Sequence, residues 1–242
     1  MEQIVDGLGK LVEGFNSVEA ALETNRVNEI IILRTKNQSK RFDSLIDIAQ
    51  KKKIKIIEVM NKDEWEYSNR HRVVAICNPL VTYRESDIKN FKSSNFIVCD
   101  HIQDINNLGA IVRSAAAFDF NVLAIPSKRS VKLSEKVFSI SAGGLEKVNI
   151  LIYNSIFSLI KRFNNLDIWT IGLDMGGETK IKDINFNEQN IAIFLGSEEK
   201  GLSKEVKNKL DLISQIQMLN NTESLNVSVA AAIAMHQIFI KK

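Results

Sequence analysis

The chain has 242 residues, of which 45% are hydrophobic and 25% are charged, a composition typical of globular proteins with one large core or two modest ones. No run reaches the about 18 to 20 apolar residues that span a membrane, and Met1 to Lys10 lack a signal peptide's basic flank and apolar core, so we expect a cytoplasmic protein without a membrane partner. The net charge of +3 neither requires nor excludes nucleic acid as a partner.

The first ninety residues alternate between helical and strand patterns. Apolar residues at helical spacing and short apolar runs predict helices over residues 13–24 and 41–52 and strands over residues 29–33, 54–59 and 73–77. Lys51, Lys52, Lys53 and Lys55 form a basic cluster, which fits a solvated helix end or, alternatively, a contact with phosphate.

A change of pattern follows this region. Asn78 and Pro79 interrupt the last strand, and residues 83–94 are polar and irregular enough for a linker. We therefore expect two domains, one of residues 1–88 and one of residues 89–242.

The second half of the chain has a more regular alternation. Strands are predicted over residues 96–99, 122–125, 168–173, 191–195 and 213–218, and helices over residues 108–118, 134–140, 155–163, 204–210 and 225–240. Continuous apolar strands separated by helices indicate an α/β domain with a parallel sheet covered on both faces. Ligands of such sheets bind beyond the carboxyl ends of the strands, so the segments that follow the strands are the candidate sites.

Cysteines and histidines give no sign of a metal site. Cys77 and Cys99 lie inside apolar runs without a CxxC partner, which predicts two buried strand residues. His71, His101 and His236 have no ligand spacing, and we interpret them as structural.

The segment after the strand over residues 96–99 carries Asn107 near the start of a helix and Arg113 six residues later. Six residues turn a helix by 600°, so Arg113 lies about 120° around the axis from Asn107, and its long side chain can still reach back towards the loop. Taken alone, this pattern also fits an asparagine cap and a surface arginine.

The segment after the strand over residues 191–195 reads GSEEKGLS. Leu202 stands where a phosphate-binding loop needs lysine, and Glu198 and Glu199 would repel phosphates. Nucleoside triphosphate hydrolysis is therefore disfavoured, and the loop suits hydroxyl, amine or sulfonium groups. After the strand over residues 213–218, Ser224 and Asn226 lie at the entry of the last helix, where they could also serve only as caps.

Together, NLGAIVRSA (107–115), LGSEEKGLS (195–203) and ESLNVSVAAAI (223–233) resemble, in order and spacing, the three signature motifs of the SpoU (TrmH-like) family of RNA ribose 2′-O-methyltransferases in the SPOUT superfamily. VEGFNSVEAAL (12–22) and HRVVAIC (71–77) resemble the small α/β (L30e-like) substrate-binding domain of the subgroup that acts on ribosomal RNA. The resemblance implies a trefoil knot in the C-terminal domain, a homodimer and S-adenosylmethionine as cofactor.

The resemblance also implies which residues form the site. Asn107, Arg113, Glu198, Ser224 and Asn226 occupy the functional polar positions, and the cofactor would be bound by Leu173, Asp174, Met175, Gly176, Leu195, Gly196, Ile216, Met218, Ser224 and Leu225. In this interpretation Arg113 stabilises the attacking ribose oxygen, Glu198 orients Arg113, and the remaining three hold the ribose and a phosphate.

The predicted function is methylation of a ribose 2′-hydroxyl, with a guanosine of large-subunit ribosomal RNA as the favoured target. Two alternatives stay open from the sequence. One keeps the chemistry and changes the target to transfer RNA. The other is a catalytically silent RNA-binding protein that keeps the knot as a scaffold.

Overall fold

The computed structural model describes residues 8–34, 40–128, 133–186, 189–219 and 224–241. The chain forms two compact units: Glu2–Leu80 with Leu133–Lys147, called the smaller unit below, and Val81–Lys132 with Val148–Lys242, called the larger unit. No described helix is both long enough and apolar enough to cross a membrane.

The smaller unit is a four-stranded sheet with helices. Its elements are β1 (Leu11–Glu13), α1 (Phe15–Glu23), β2 (Val27–Leu33), α2 (Lys40–Lys51), β3 (Lys55–Val59), a 3-10 turn (Lys62–Glu64), β4 (Val73–Cys77), α4 (Glu135–Ser141) and a second 3-10 turn (Gly144–Glu146). The strand order is β1-β4-β2-β3, in which β2 and β3 are parallel and the other two pairs are antiparallel.

The helices of the smaller unit form because their apolar residues recur at helical spacing. In α2, Phe42, Leu45 and Ala49 are buried, whereas the lysines at its carboxyl end are exposed. A separate apolar cluster of the same unit joins Trp65 to Ile31 of β2 and Val74 of β4. All three α-helices and three of the four strands were predicted, and the three-residue strand β1 was not.

The larger unit is an eight-stranded sheet among the described residues. Its elements are β5 (Thr82–Arg84), a 3-10 helix (Glu85–Phe91), β6 (Phe96–Cys99), α3 (Ile105–Ala117), β7 (Val122–Pro126), β8 (Asn149–Tyr153), α5 (Ile156–Asn164), β9 (Trp169–Leu173), β10 (Thr179–Lys180), a 3-10 turn (Ile181–Asp183), β11 (Ile191–Leu195), α6 (Lys204–Lys207), β12 (Leu212–Gln215) and α7 (Val227–Phe239).

Every strand pair in this sheet is parallel, in the order β10-β12-β9-β11-β6-β7-β8-β5. All residues of the central strands β6, β7 and β11 are buried, as expected for parallel strands covered on both faces. The predicted α/β class with a parallel sheet is confirmed. The trefoil knot stays a prediction, because strand order alone does not describe how the chain is threaded.

Two sequence predictions for the larger unit were wrong or incomplete. Residues 83–94 are not a linker, because Thr82–Arg84 pair with β8 at the edge of the sheet and a 3-10 helix follows them. The strand Asn149–Tyr153 was not predicted, although Ile150, Leu151 and Ile152 form a continuous apolar run. The predicted boundary between residues 88 and 89 stays a prediction for separately folding domains.

Candidate functional site

The three motif segments meet at one edge of the larger sheet. β11 pairs with β6 on one side and with β9 on the other, and β9 pairs with β12. Because these strands are parallel, their carboxyl ends lie at the same edge, and the polar loops that follow them are neighbours.

A cavity of about 510 Å³ lies at this edge. Nine of the ten predicted cofactor-binding residues line it: Leu173, Asp174, Met175, Leu195, Gly196, Ile216, Met218, Ser224 and Leu225. Gly176, the tenth, is not among the lining residues. The sequence interpretation missed six further lining residues: Ser197, Lys200, Gly201, Lys207, Val227 and Ala230.

The loop after β11 is folded back on itself. Gly201 N–H donates to the Ser197 carbonyl at 2.9 Å, and Gly201 has a φ of +61°, in the left-handed region that favours glycine. A Cβ on Gly196 would lie 2.0 Å from the Gly201 carbonyl carbon, so no larger residue fits there without moving the backbone. This close approach explains both glycines of the motif and leaves Glu198 at the tip of the loop.

Asp174 faces the cavity with its charge already paired. Its Oδ1 accepts from Gly176 N–H at 3.0 Å, and its Oδ2 lies 2.5 Å from Nζ of Lys207 in α6. Gly176 therefore fixes a wall residue without lining the cavity itself. Lys207 could not be identified from the sequence, since nothing in the motif pattern links α6 to the segment after β9.

Asn107, Glu198 and Asn226 come together from the three motifs. Asn107 Nδ2 donates to Glu198 Oε1 at 3.1 Å, and Asn226 Nδ2 donates to Asn107 Oδ1 at 3.0 Å. Asn107 is 7% exposed and lies within the first turn of α3, whose cap is Asp104 rather than Asn107. Asn226 caps α7 by accepting from Ser228 N–H at 2.9 Å, so it is both a cap and part of this group.

Arg113 lies apart from these residues. It is exposed on α3 and is not among the residues that line the cavity. Within the described parts of the chain it has no hydrogen bond or ion pair, and Glu198 contacts Asn107 instead. Ser224 lines the cavity and is exposed.

A second polar group follows β6 and was not predicted. Tyr153 O–H lies 3.3 Å from Asp100 Oδ1, and the same carboxylate oxygen lies 2.7 Å from Nδ1 of His101. Burial raises the pKa of Tyr153, and the neighbouring Asp100 raises it further. An acidic residue directly after a buried strand was the available signal. Within the described residues, no group of three or more His, Cys, Asp or Glu is placed to hold a metal ion.

Two family models match the chain. Residues 94–236 match the SpoU rRNA methylase family, and residues 11–80 match the model described as RNA 2′-O ribose methyltransferase substrate binding. All three motifs described above lie within residues 94–236.

Two relatives align with most of this chain. An uncharacterized tRNA/rRNA methyltransferase of Mycolicibacterium gilvum is 32% identical over 206 residues, which are 82% of this chain and 65% of the relative. This chain thus spans just under two thirds of that protein. A Staphylococcus aureus protein that is named as a TrmH family tRNA/rRNA methyltransferase is 25% identical over 240 residues, which are 96% of each chain.

Solved structures share the fold. The SpoU methyltransferase AviRb from Streptomyces viridochromogenes, in complex with the cofactor AdoMet, superposes with a TM-score of 0.78 at 21% identity, over 96% of this chain and 89% of AviRb. The AdoMet-bound rRNA methyltransferase from Sinorhizobium meliloti gives a TM-score of 0.72 at 17% identity, over 94% and 85% of the two chains.

Proposed function

The chain belongs to the SpoU rRNA methylase family, and from this premise we propose that it methylates a ribose 2′-hydroxyl of RNA with S-adenosylmethionine as donor. The observation that carries the proposal is the hydrogen-bonded group of Asn107, Glu198 and Asn226, which joins three separate motifs beside one cavity. A guanosine of large-subunit ribosomal RNA is the target we favour.

The cavity suits S-adenosylmethionine in size and chemistry. Its volume of about 510 Å³ is within the range of small-molecule sites. Apolar wall residues such as Leu173, Leu195 and Ile216 suit an adenine ring, and the carboxylates of Glu198 and Glu199 suit positively charged groups. When bound, S-adenosylmethionine supplies a methyl group carried on a sulfonium sulfur. Both AviRb and the Sinorhizobium meliloti protein were solved with AdoMet bound, which supports this choice of donor.

The residues of this chain would hold the ribose and help its hydroxyl to lose a proton. A ribose hydroxyl is a weak nucleophile, so its proton must leave, or its oxygen must be polarised, as it attacks the methyl carbon. Asn107, Asn226 and Ser224 hold the ribose and a phosphate in this proposal. Correct placement of the two reacting atoms supplies a large part of the rate.

Arg113 supplies positive charge in this proposal. Arginine is almost never deprotonated in proteins, which disfavours a role as a base. A positive charge close to the forming alkoxide lowers the energy of that alkoxide. Because Arg113 is exposed and has no ion-pair partner among the described residues, its charge is not already neutralised by a carboxylate.

Ribosomal RNA is favoured because the family model that matches residues 94–236 is described as an rRNA methylase, and because residues 11–80, which resemble the domain of the ribosomal subgroup, match a substrate-binding model. Transfer RNA is the second candidate, since the names of the relatives include both tRNA and rRNA. We further propose that the protein is a homodimer that pairs through α7 and α3, and that the larger unit contains a trefoil knot. The exposed apolar residues Val229, Phe239 and Ile240 at and after α7 support the dimer.

The test measures donor binding first and methyl transfer second. Titration calorimetry with S-adenosylmethionine on the full chain is followed by transfer of labelled methyl groups to purified ribosomal RNA and to transfer RNA. A 2′-O-methyl group makes the adjacent phosphodiester resistant to alkali, so label in alkali-resistant dinucleotides supports ribose methylation. Label in mononucleotides, which indicates base methylation, or donor binding without transfer to either RNA would overturn the proposal.

A further inference from the structure

Four side chains form one continuous hydrogen-bonded chain beside the cavity, called the polar chain below. Ser228 Oγ donates to Asn226 Oδ1 at 2.6 Å, and Ser228 N–H donates to the same oxygen at 2.9 Å. Asn226 Nδ2 donates to Asn107 Oδ1 at 3.0 Å, and Asn107 Nδ2 donates to Glu198 Oε1 at 3.1 Å. Every bond of the polar chain therefore runs from Ser228 towards Glu198.

This direction is fixed at both ends. A backbone N–H can only donate, so the atom of Asn226 that faces Ser228 must be the amide oxygen. Nδ2 of Asn226 is then turned towards Asn107, and Asn107 must accept this hydrogen bond with its own amide oxygen. A carboxylate can only accept, so Glu198 requires the Nδ2 of Asn107. The assignment of amide oxygen and nitrogen, which depends on the hydrogen-bond network, has one solution here.

We propose that Ser228 is a positioning residue for the methyl transfer: its hydroxyl adds a second bond to Oδ1 of Asn226, and this bond holds the polar chain in place, with its free N–H groups beside the Glu198 carboxylate at the rim of the cavity. The proposal rests on the proposed function. It adds a residue to which the sequence interpretation gave no role.

The direction of the polar chain decides which groups are left for a substrate. One N–H of Asn226, one N–H of Asn107 and Oε2 of Glu198 are used by none of its bonds. This pattern of donors beside a carboxylate fits a ribose: the carboxylate accepts from a hydroxyl, and the N–H groups donate to sugar or phosphate oxygens. The 2′-hydroxyl is the donor that RNA has and DNA lacks. The reversed direction would turn Oδ1 of Asn107 towards Glu198.

The hydroxyl of Ser228 makes a hydrogen bond that is not needed to cap α7. The cap is already made by the bond from Ser228 N–H to Asn226 Oδ1, and the hydroxyl adds a second bond to the same oxygen. Removing the hydroxyl therefore leaves the helix capped but holds the Asn226 amide by one bond instead of two. A purely structural serine would affect stability, whereas a positioning serine affects turnover.

The first experiment compares Ser228→Ala with Ser228→Thr, which keeps the oxygen. We expect Ser228→Ala to lower kcat by about 3- to 10-fold, the effect of one lost hydrogen bond, without changing the calorimetric affinity for S-adenosylmethionine, and Ser228→Thr to restore most of kcat. The matched control is Ser155→Ala, which removes a serine hydroxyl that caps α5. A wild-type kcat for Ser228→Ala, or no recovery in Ser228→Thr, would overturn the proposal.

The second experiment reverses the polar chain. Asn226→Asp keeps both bonds from Ser228, because aspartate is a good helix cap, but it loses the Nδ2 donor. Asn107 must then turn its amide and place an oxygen against Glu198, so we expect a lower Tm and a loss of turnover. Adding Glu198→Gln gives the reversed chain a donor at its end, so the double variant should regain Tm without regaining turnover.

The single variant Glu198→Gln completes the double-mutant cycle. It should leave Tm unchanged, because the amide oxygen of glutamine can still accept the hydrogen bond from Asn107. A double variant no more stable than Asn226→Asp would refute a chain of fixed direction. Since Tm is measured without RNA, this arm decides whether the polar chain has a fixed direction even if the wild-type protein proves to have no methyl-transfer activity, in which case the proposed function fails.

Discussion

Nε of Arg26 donates to Oε2 of Glu146 at 2.7 Å, although 120 residues separate them along the chain. Both side chains are buried, and Thr24 Oγ1 also donates to the carboxylate, at 3.1 Å. Removing one partner of such a pair leaves an uncompensated buried charge, so we expect Glu146→Ala to lower the free energy of unfolding by about 3 to 5 kcal/mol in urea denaturation.

The double variant Arg26→Met with Glu146→Leu tests the physical reason. Replacing both charges with apolar groups of similar volume removes the unpaired charge, so this variant should regain most of the lost stability. Lys55→Ala is the surface control, because Lys55 pairs with Glu29 at 2.9 Å with its side chain 66% exposed and should cost less than about 1 kcal/mol. An equally small cost for Glu146→Ala would contradict the expectation.

Much of the fold could be predicted from the pattern of apolar residues, and the elements that were not predicted have physical reasons for it. The strands β6 and β11 were predicted with their observed bounds, because buried parallel strands are continuous apolar runs. Thr82–Arg84 were missed because an edge strand that pairs on one side has no such run. Within the smaller unit, Leu133–Lys147 pack with Glu2–Leu80 through long-range contacts, such as that of Glu146 with Arg26. Local sequence patterns do not encode such contacts.

Arg113→Ala tests the centre of the proposed mechanism. If Arg113 stabilises the attacking oxygen, its removal should lower kcat by about 10²- to 10³-fold. Donor affinity, measured by calorimetry, should stay nearly unchanged, because Arg113 does not line the cavity. If Arg113 is only a surface residue, the variant should keep the wild-type rate and lose under about 0.5 kcal/mol of stability.

Arg113→Lys separates two roles of the same charge. Lysine keeps the positive charge but lacks the planar fork with which arginine binds two oxygens at once. Partial recovery of kcat relative to Arg113→Ala would indicate electrostatic stabilisation, whereas no recovery would indicate bidentate positioning of a phosphate.

The exposed face of α7 provides a test of the proposed dimer. Val229 is 47% exposed on α7, which packs against α3. A glutamate there would place a charge within the proposed interface, so we expect Val229→Glu to be a monomer by light scattering and to lose activity. Phe157→Glu is the matched control, since Phe157 of α5 is 48% exposed and should tolerate the charge without dissociation. An active wild-type monomer at assay concentration would be inconsistent with the proposal.

The lysines at the end of α2 provide a test of RNA binding by the smaller unit. Lys55 is paired with Glu29, and Lys52 donates to Asn25. The side chains of Lys51 and Lys53 are exposed and have no hydrogen bond or ion pair among the described residues. The double variant Lys51→Ala with Lys53→Ala should raise KM for RNA and flatten its salt dependence without changing donor affinity. An unchanged salt dependence would show that these lysines do not contact phosphate. Lys161→Ala on α5 serves as the control.

The place where the three motifs meet could be predicted from the sequence. The hydrogen-bond partners of the side chains could not, because they depend on tertiary packing. Nine of the ten proposed cofactor residues line one cavity because each either ends a strand of the same parallel sheet or follows one. The pairing of Glu198 with Asn107 rather than Arg113 depends on how far each side chain lies around α3. His101 was interpreted as structural, and this stays a prediction; its contact with Asp100 after β6 was not predicted.

Two buried thiols predict a loss of stability at high pH. Burial raises the pKa of Cys77 to about 11 and that of Cys99 to about 12, from an ordinary value of 9.0. Well below pH 9 both thiols stay protonated in the folded and the unfolded chain. Above it the unfolded chain loses protons first, so the free energy of unfolding should fall by about 1.4 kcal/mol per pH unit for each thiol.

Chemical denaturation of the wild-type protein and of Cys77→Ala with Cys99→Ala, between pH 8 and pH 11, measures this contribution. The slope of stability against pH should be smaller in the double variant. Identical slopes would show that the thiols are not buried in their protonated form.

The packing of Leu133–Lys147 with Glu2–Leu80 also has a consequence during synthesis on the ribosome. Chains fold as they emerge, in order from the amino terminus. The first eighty residues leave the ribosome before Glu146 and the buried Val137 and Phe138 of α4 have been translated. The carboxylate that neutralises Arg26 is then still missing, so the nascent smaller unit completes its core only after three of the larger unit's eight strands have left the exit tunnel.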